Sequence, residues 1–354
     1  MSAPQHPRTF NLRAEIDQTL AVAATLTHSQ PTEALALANQ AQQRARAISY
    51  REGEARAWLQ AGRAAFAMPD CDEAHPACVA AAELAESIGD MTLWSEATHI
   101  AAEVRYGLGR YQQAEVHWLA LLERGLVQGL ALAQLFGYLG MAKLYFMLVA
   151  PGPTSAMLDK ARRVLPQVDR LDVRFGLHIN IAAHHYRCGE DAAAGIELAE
   201  AETLLPRLGF CEFEPELYYY RGYLFKRQGR LVEARQQFER SLSLNGSAHN
   251  HWGKVVNLVA LGETCLAQGE PHAADHYLRR ALDGAIQLGS PYLEAECYAA
   301  LARACADVGY THGEFAHWRA HFNLLEQLER RDNASDRADA VAQLGARIAA
   351  LEAR

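Results

Sequence analysis

The chain is short of most features that announce a chemistry. Its seven cysteines, at positions 71, 78, 188, 211, 265, 297 and 305, are an odd number at irregular spacing, so they form no disulfide framework of the kind small secreted folds rely on. There is no basic excess: 34 Lys and Arg stand against 42 Asp and Glu, a net charge of −8. A phosphate-binding surface needs positive charge, so nucleic-acid binding is not expected to be the main function. No apolar run reaches membrane-spanning length; LFGYLGMAKLYFMLVA, residues 135–150, comes nearest, and it is too short and carries Lys143. The opening MSAPQHPRTFNLRAEIDQ lacks a basic start followed by an apolar stretch, so no secretion signal is read there and a cytoplasmic protein is expected. No P-loop, GxGxxG or GxSxG occurs, and no nucleophile is paired with a base in a recognisable motif. Neither an enzyme nor a cofactor is expected.

What the chain does have is a period. Stepping by forty residues meets Val22, Gly62, Ala102, Ala142, Ala182, Gly222, Gly262 and Ala302. A second register gives Ala34, Ala74, Ala114, Thr154, Ala194, Ala234, Ala274 and Glu314, and a third gives Ala41, Ala81, Leu121, Ala161, Ala201, Ser241, Ala281 and His321. A fourth is large: Cys78, Trp118, Leu158, Leu198, Phe238, Leu278 and Trp318, with Ala38 smaller. Turn signals fall between them, with Gly109, Gly189, Gly229, Gly269 and Gly309 in one register and Pro31 and Pro271 two places further along it. Small positions twelve apart let two antiparallel helices approach closely. The large residue four places on is expected to fill the gap to the next hairpin. Such a hairpin cannot bury its apolar face alone and must stack on its neighbours.

The unit LYYYRGYLFKRQGRLVEARQQFERSL, residues 217–242, resembles the tetratricopeptide repeat through Tyr218, Gly222, Phe225, Gly229, Leu231, Ala234, Phe238 and Ser241. The next unit follows with Leu261, Gly262, Gly269, Ala274 and Ala281, whereas Arg221 stands where the family usually has leucine. The resemblance implies an all-α fold: a right-handed α-solenoid of about eight helical hairpins. The forty-residue unit is longer than the family's usual one and is similar to those of bacterial signalling and transcription regulators. The expected organisation is a flexible segment over 1–14, the repeat array over 15–334 and a heptad helix over 335–354.

In this family the first helix of each unit lines a concave surface. Carried over by register, that face holds Arg56, Arg63, Glu96, His99 and Glu103 early on, and Glu263, Glu296 and Arg303 late. Its middle, Tyr106, Lys143, Phe146, Tyr186, Arg187, Tyr219, Tyr223, Lys226 and Arg227, interleaves aromatic rings with cations. That chemistry suits an extended peptide or protein segment with acidic groups, or a small anion; the alternative is a solvated helical face. Of the three adjacent tyrosines, Tyr218 shares a packing register with Trp58, Tyr138 and Tyr298 and is expected in the core, while Tyr219 and Tyr223 share the groove face. The Lys/Asn/Arg clamp of chaperone-binding relatives is not matched, since Leu59, His99, Leu139, Ile179 and Val259 occupy those faces.

DCDEAHPAC places Cys71, His75 and Cys78 on one helical face, a weak start for zinc. No fourth ligand accompanies them, and Cys78 lies in the large packing register, so no metal is expected. At the end of the chain Val341, Leu344, Ile348 and Leu351, spaced 3, 4 and 3, form a heptad seam. The seam reads either as a cap folding back on the last repeat or as a parallel dimer and signalling helix. The order of repeats followed by such a helix also resembles the sensory half of bacterial proteins in which tetratricopeptide repeats precede a diguanylate cyclase. That resemblance implies a non-catalytic sensor passing its state through the helix to an output domain outside this sequence. The alternative is a free-standing adaptor.

Overall fold

Helical hairpins form here because glycine and alanine recur where two helix backbones must meet. The computed structural model describes residues 7–68, 73–208, 211, 213–247, 251–329 and 334–353. Among these residues it contains seventeen α-helices, two short 3₁₀ turns and no strand. The first sixteen pair as hairpins: α1 (Pro7–Leu26) with α2 (Pro31–Ala47), α3 (Arg51–Phe66) with α4 (Ala74–Ile88), α5 (Met91–Gly107) with α6 (Tyr111–Gln128), and α7 (Ala131–Met147) with α8 (Pro151–Val164). Then follow α9 (Leu171–Cys188) with α10 (Asp191–Leu204), α11 (Glu214–Arg227) with α12 (Leu231–Ser247), α13 (His251–Ala267) with α14 (Pro271–Gln287), and α15 (Pro291–Asp307) with α16 (Thr311–Glu329). A last helix, α17, spans Ala334–Glu352. No described helix is long and apolar enough to cross a membrane.

The forty-residue registers are the contacts that hold each hairpin. A Cβ on Gly222 would lie 2.6 Å from the Phe238 ring, one on Gly262 2.5 Å from Leu278, and one on Gly62 2.4 Å from the Cys78 sulfur. The large residue thus presses on its own hairpin first. Phe238 also reaches onward, into a buried cluster with Ala234, Ala260 and Leu261. Helices end where glycine adopts positive φ, as at Gly229 (74°) and Gly269 (76°). In that register residue 149 is valine, and it is forced to φ 55°, a conformation that costs a β-branched residue about 1–3 kcal/mol.

Departures from the repeat consensus find local compensation. Arg221, at the usual leucine, donates twice to Glu202, both bonds 2.9 Å long. His321, in an alanine register, gives its Nδ1–H to the Ala295 carbonyl at 2.8 Å.

Two boundaries differ from expectation. Helix α1 begins at Pro7, whose missing N–H suits the first helical position, so residues 7–14 are helical; residues 1–6 lie outside the described residues. The array, expected as one stretch, falls into two compact units. Unit 1 comprises residues 1–170 together with 343–354, and unit 2 residues 171–342. In unit 1 one core gathers Ile16, Leu20, Ala41, Ala45 and Ala57. In unit 2 the largest described cluster joins α9, α10 and α11 through Phe175, Leu198, Leu217 and Tyr218, the last only 2% exposed.

Candidate functional site

Residues at i, i+4, i+7 and i+11 share a helix face, and one such stripe recurs along the first helices of unit 2. On α11 it holds Glu216, Tyr219 and Tyr223. On α13 it holds Trp252, Val256, Val259 and Glu263, and on α15 Tyr292, Glu296, Ala299 and Arg303. Trp252 is 56% exposed and Tyr292 62% exposed. These two aromatics, forty residues apart, are not among the groove residues expected from the sequence. Their shared register was the signal that could have found them.

At one end of this face the tyrosines form a connected cluster. Tyr186 of α9 lies 5.3 Å from Tyr223 and 6.0 Å from Tyr220, centroid to centroid. Tyr219 meets Tyr223 edge-on at 4.9 Å, and Tyr223 meets the buried Phe238 at 5.1 Å. Edge-to-face pairs at such distances are favourable beyond their buried area. The Tyr219 and Tyr223 hydroxyls share a hydrogen bond. Burial holds the phenols of Tyr219, Tyr220 and Tyr223 well above their ordinary range, so all three remain neutral donors.

Cations close the cluster. The Arg227 guanidinium lies 3.8 Å above the Tyr186 ring. It donates to the Tyr186 carbonyl at 2.9 Å and pairs with Asp191. Lys226 approaches the Tyr223 ring at 5.7 Å and gives a 2.8 Å hydrogen bond to Glu263. Arg303 bonds the other oxygen of Glu263 at 2.9 Å. Glu263 therefore ties α11, α13 and α15 together, and an open depression lined by Lys226, Glu263, Leu266, Arg303, Ala306 and Asp307 lies there. Arg187 is exposed, its charge felt at Tyr220 and Tyr292.

The remaining expected groove residues, Tyr106, Lys143 and Phe146, belong to unit 1, where the corresponding face is tied up in ion pairs. Lys143 bonds both oxygens of Glu103 at 2.6 and 2.7 Å and approaches the Tyr106 ring at 5.8 Å. Tyr106 in turn packs 5.7 Å from Trp118, and Phe146 is half-buried. Glu96 is shared by Arg63 at 3.0 Å and Arg170 at 2.6 Å. His99 stacks on Phe136 at 4.0 Å, and its Nδ1 accepts from the Trp118 indole at 3.3 Å, which leaves the proton of the neutral ring on Nε2.

Of the weak metal candidates, Cys71 lies outside the described residues. Burial pushes the Cys78 thiol up to about 12, which disfavours the thiolate a metal needs. Arg105 donates to His75 Nδ1 at 2.9 Å, so His75 turns its Nε2–H toward His117 Nε2, 3.0 Å away. Among the described residues no three His, Cys, Asp or Glu side chains are placed to hold a metal ion.

These histidines make unit 1 acid-sensitive. Burial, reinforced by Arg105, pulls His75 down to about 4; burial also brings His99 to about 4, with Glu103 opposing and Lys143 adding to it. Both rings are neutral in the folded chain, whereas the unfolded chain protonates them near pH 6.5. Their contribution to stability is therefore complete above that value and is lost as the pH falls toward 4. Melting temperature should drop between pH 7 and pH 5, with a shallower slope for His75→Gln. An unchanged slope in that variant would remove His75 from the account.

Residues 213–287, helices α11 to α14, match the tetratricopeptide-repeat family. These are tetratricopeptide repeats. No curated protein sequence matches the chain. Solved structures resemble it in fold. A Rap protein complexed with competence and sporulation factor aligns with TM-score 0.52 and 13% identity over 90% of this chain and 99% of that one. The APC/C hetero-tetramer Cut9–Hcn1 aligns with TM-score 0.61 and 13% identity over 92% and 55%. A signal-transduction ATPase with a tetratricopeptide-repeat sensor, from Pyrococcus horikoshii, gives TM-score 0.54 and 11% identity over 90% and 54%. The chain thus spans about half the length of the last two.

Proposed function

We propose that the repeats of unit 2 bind an extended segment of a partner protein along the first-helix face of α11, α13 and α15, as a non-catalytic interaction module. Tetratricopeptide folds act as protein-interaction scaffolds. The observation that carries the reading to this face is the exposure of Trp252 and Tyr292 in one register, since large exposed aromatics flanked by charges are what interface centres use. The cations favour a peptide over a small anion. Lys226, Arg227 and Arg303 are each already paired with a carboxylate; a lone anion would have to displace it, whereas a segment bearing both charges can exchange pairs. The Rap protein of similar fold, solved with competence and sporulation factor, is consistent with such a role.

A finer version, in which α17 signals to an output such as a diguanylate cyclase, needs its heptad seam free to pair, and Leu344 and Ile348 are 4% and 2% exposed. No observation favours it over the adaptor. The test is a peptide library panned on the immobilised full chain. Selected peptides should bind Trp252→Ala and Tyr292→Ala roughly tenfold to thirtyfold more weakly, about 1.4–2 kcal/mol each, and Arg227→Ala more weakly as well. Peptides indifferent to all three changes would place the binding face elsewhere.

A further inference from the structure

Unit 1 is completed by a piece of chain that arrives only after the whole of unit 2 has intervened: residues 343–354, the second half of α17. The segment lies across α6, α7 and α8. Arg347 pairs with Glu115 of α6. Glu352 accepts from Lys160 of α8 at 2.5 and 2.6 Å and from the Tyr138 hydroxyl of α7 at 3.2 Å. The Tyr145 hydroxyl stands over Gly345, 3.5 Å from where a Cβ would be. Between these polar contacts Leu344 and Ile348 are buried, and Tyr138 and Tyr145 of α7 are buried as well, at 6% and 2% exposure. Tyr145 and Lys143 are two residues, hence about 200°, apart on α7, so the segment occupies the side of that helix away from the Glu103 pair.

The host face is built to receive a helix. Eighty residues on, the equivalent Tyr218 spends its hydroxyl on Glu214 of its own helix, at 3.4 Å, with Arg240 over its ring at 3.9 Å. Tyr138 directs its hydroxyl to Glu352 instead. Both halves of this lock, receptor and segment, exist on every copy of the chain, and covalent connection to unit 1 runs only through unit 2. The same contacts can therefore form between two copies with no new chemistry and close as a two-fold dimer.

We propose that the α6–α7–α8 face is a helix-binding site whose second occupant is segment 343–354 of another copy of this chain, so that the protein forms a reciprocal, segment-exchanged dimer. This differs from seam-to-seam pairing of two α17 helices, in which Leu344 and Ile348 would face each other and Glu115 and Lys160 would play no part.

Charge reversal separates the two. One full-length variant carries Glu115→Arg with Lys160→Glu, and a second carries Arg347→Glu with Glu352→Lys. Each alone sets like charges against each other, within its own chain and between its copies. Mixed, both receptor–segment pairs regain opposite charges. At low ionic strength the mixture should dimerise 1:1 at least tenfold more tightly than either variant alone, measured by sedimentation. Hydrogen exchange at residues 343–353, fast in each variant, should slow on mixing. A mixture that stays monomeric with the segment fast-exchanging would overturn the proposal. If either variant fails to melt cooperatively, wild-type chains decide it. Light and heavy-isotope copies should yield a mixed-mass dimer by native mass spectrometry that survives neither in Leu344→Asp nor in the milder, charge-neutralised Glu115→Gln/Lys160→Gln chain. A dimer kept by the latter would mean seam pairing and refute exchange.

Discussion

Lys143→Met is expected to destabilise the protein by on the order of 3 kcal/mol, the range for removing one partner of a buried ion pair. Glu103 and Lys143 are each 17% exposed at the side chain, and Lys143 supplies both short hydrogen bonds to the carboxylate. Burial works to raise the Glu103 carboxyl, but Lys143 and His99 outweigh it and hold it below its usual range. Without the ammonium, burial is opposed only by the weaker influence of His99. The carboxylate should then take up a proton at higher pH, so the loss measured by urea denaturation should be larger at pH 7 than at pH 5. The double variant Glu103→Leu with Lys143→Met removes both charges and should recover most of the loss. A single variant within about 0.5 kcal/mol of wild type would mean that solvent already reaches the pair.

Gly222→Val should have an effect of similar size for a steric reason. The added Cβ alone would sit 2.6 Å from Phe238, and the ring cannot retreat because it is fully buried among Ala234, Ala260 and Leu261. Overpacking of this kind costs about 1–3 kcal/mol, and here it would strain both the α11–α12 hairpin and its contact with α13. The compensated pair Gly222→Ala with Phe238→Leu copies the combinations Ala142 with Leu158 and Ala182 with Leu198 found in other repeats. It should regain most of the lost melting temperature. Failure of that rescue, with Gly222→Val as stable as wild type, would show that the close approach does not hold the hairpin.

How much of this was legible beforehand can be judged from particular residues. Gly222, Gly262 and Phe238 were readable, because the contacts they make lie within one hairpin or the next and therefore repeat at a fixed spacing. Ala34, Ala74 and Ala114 are fully buried for the same reason. Val149 shows the limit of that logic: the turn register demanded positive φ, and the valine submits to it at a cost. The tyrosine run was partly readable, since helical spacing separates the buried Tyr218 from the half-buried Tyr219 and Tyr223.

What the period could not express is which partner each polar group selects. Glu263 bonds Lys226 on one side and Arg303 on the other, and Glu96 takes Arg63 and Arg170; long side chains reach across repeats in ways a one-dimensional register does not specify. Nor could it express the fate of α17. The heptad of Val341, Leu344, Ile348 and Leu351 said only that one face was apolar, and any apolar surface of matching shape would satisfy it. The sequence by itself determined the hairpins, their number and their close contacts, because those interactions are local and repeat. Only the tertiary structure decided that Arg347 meets Glu115, 232 residues away, because that pairing depends on where the chain's end is carried after all the intervening helices have packed.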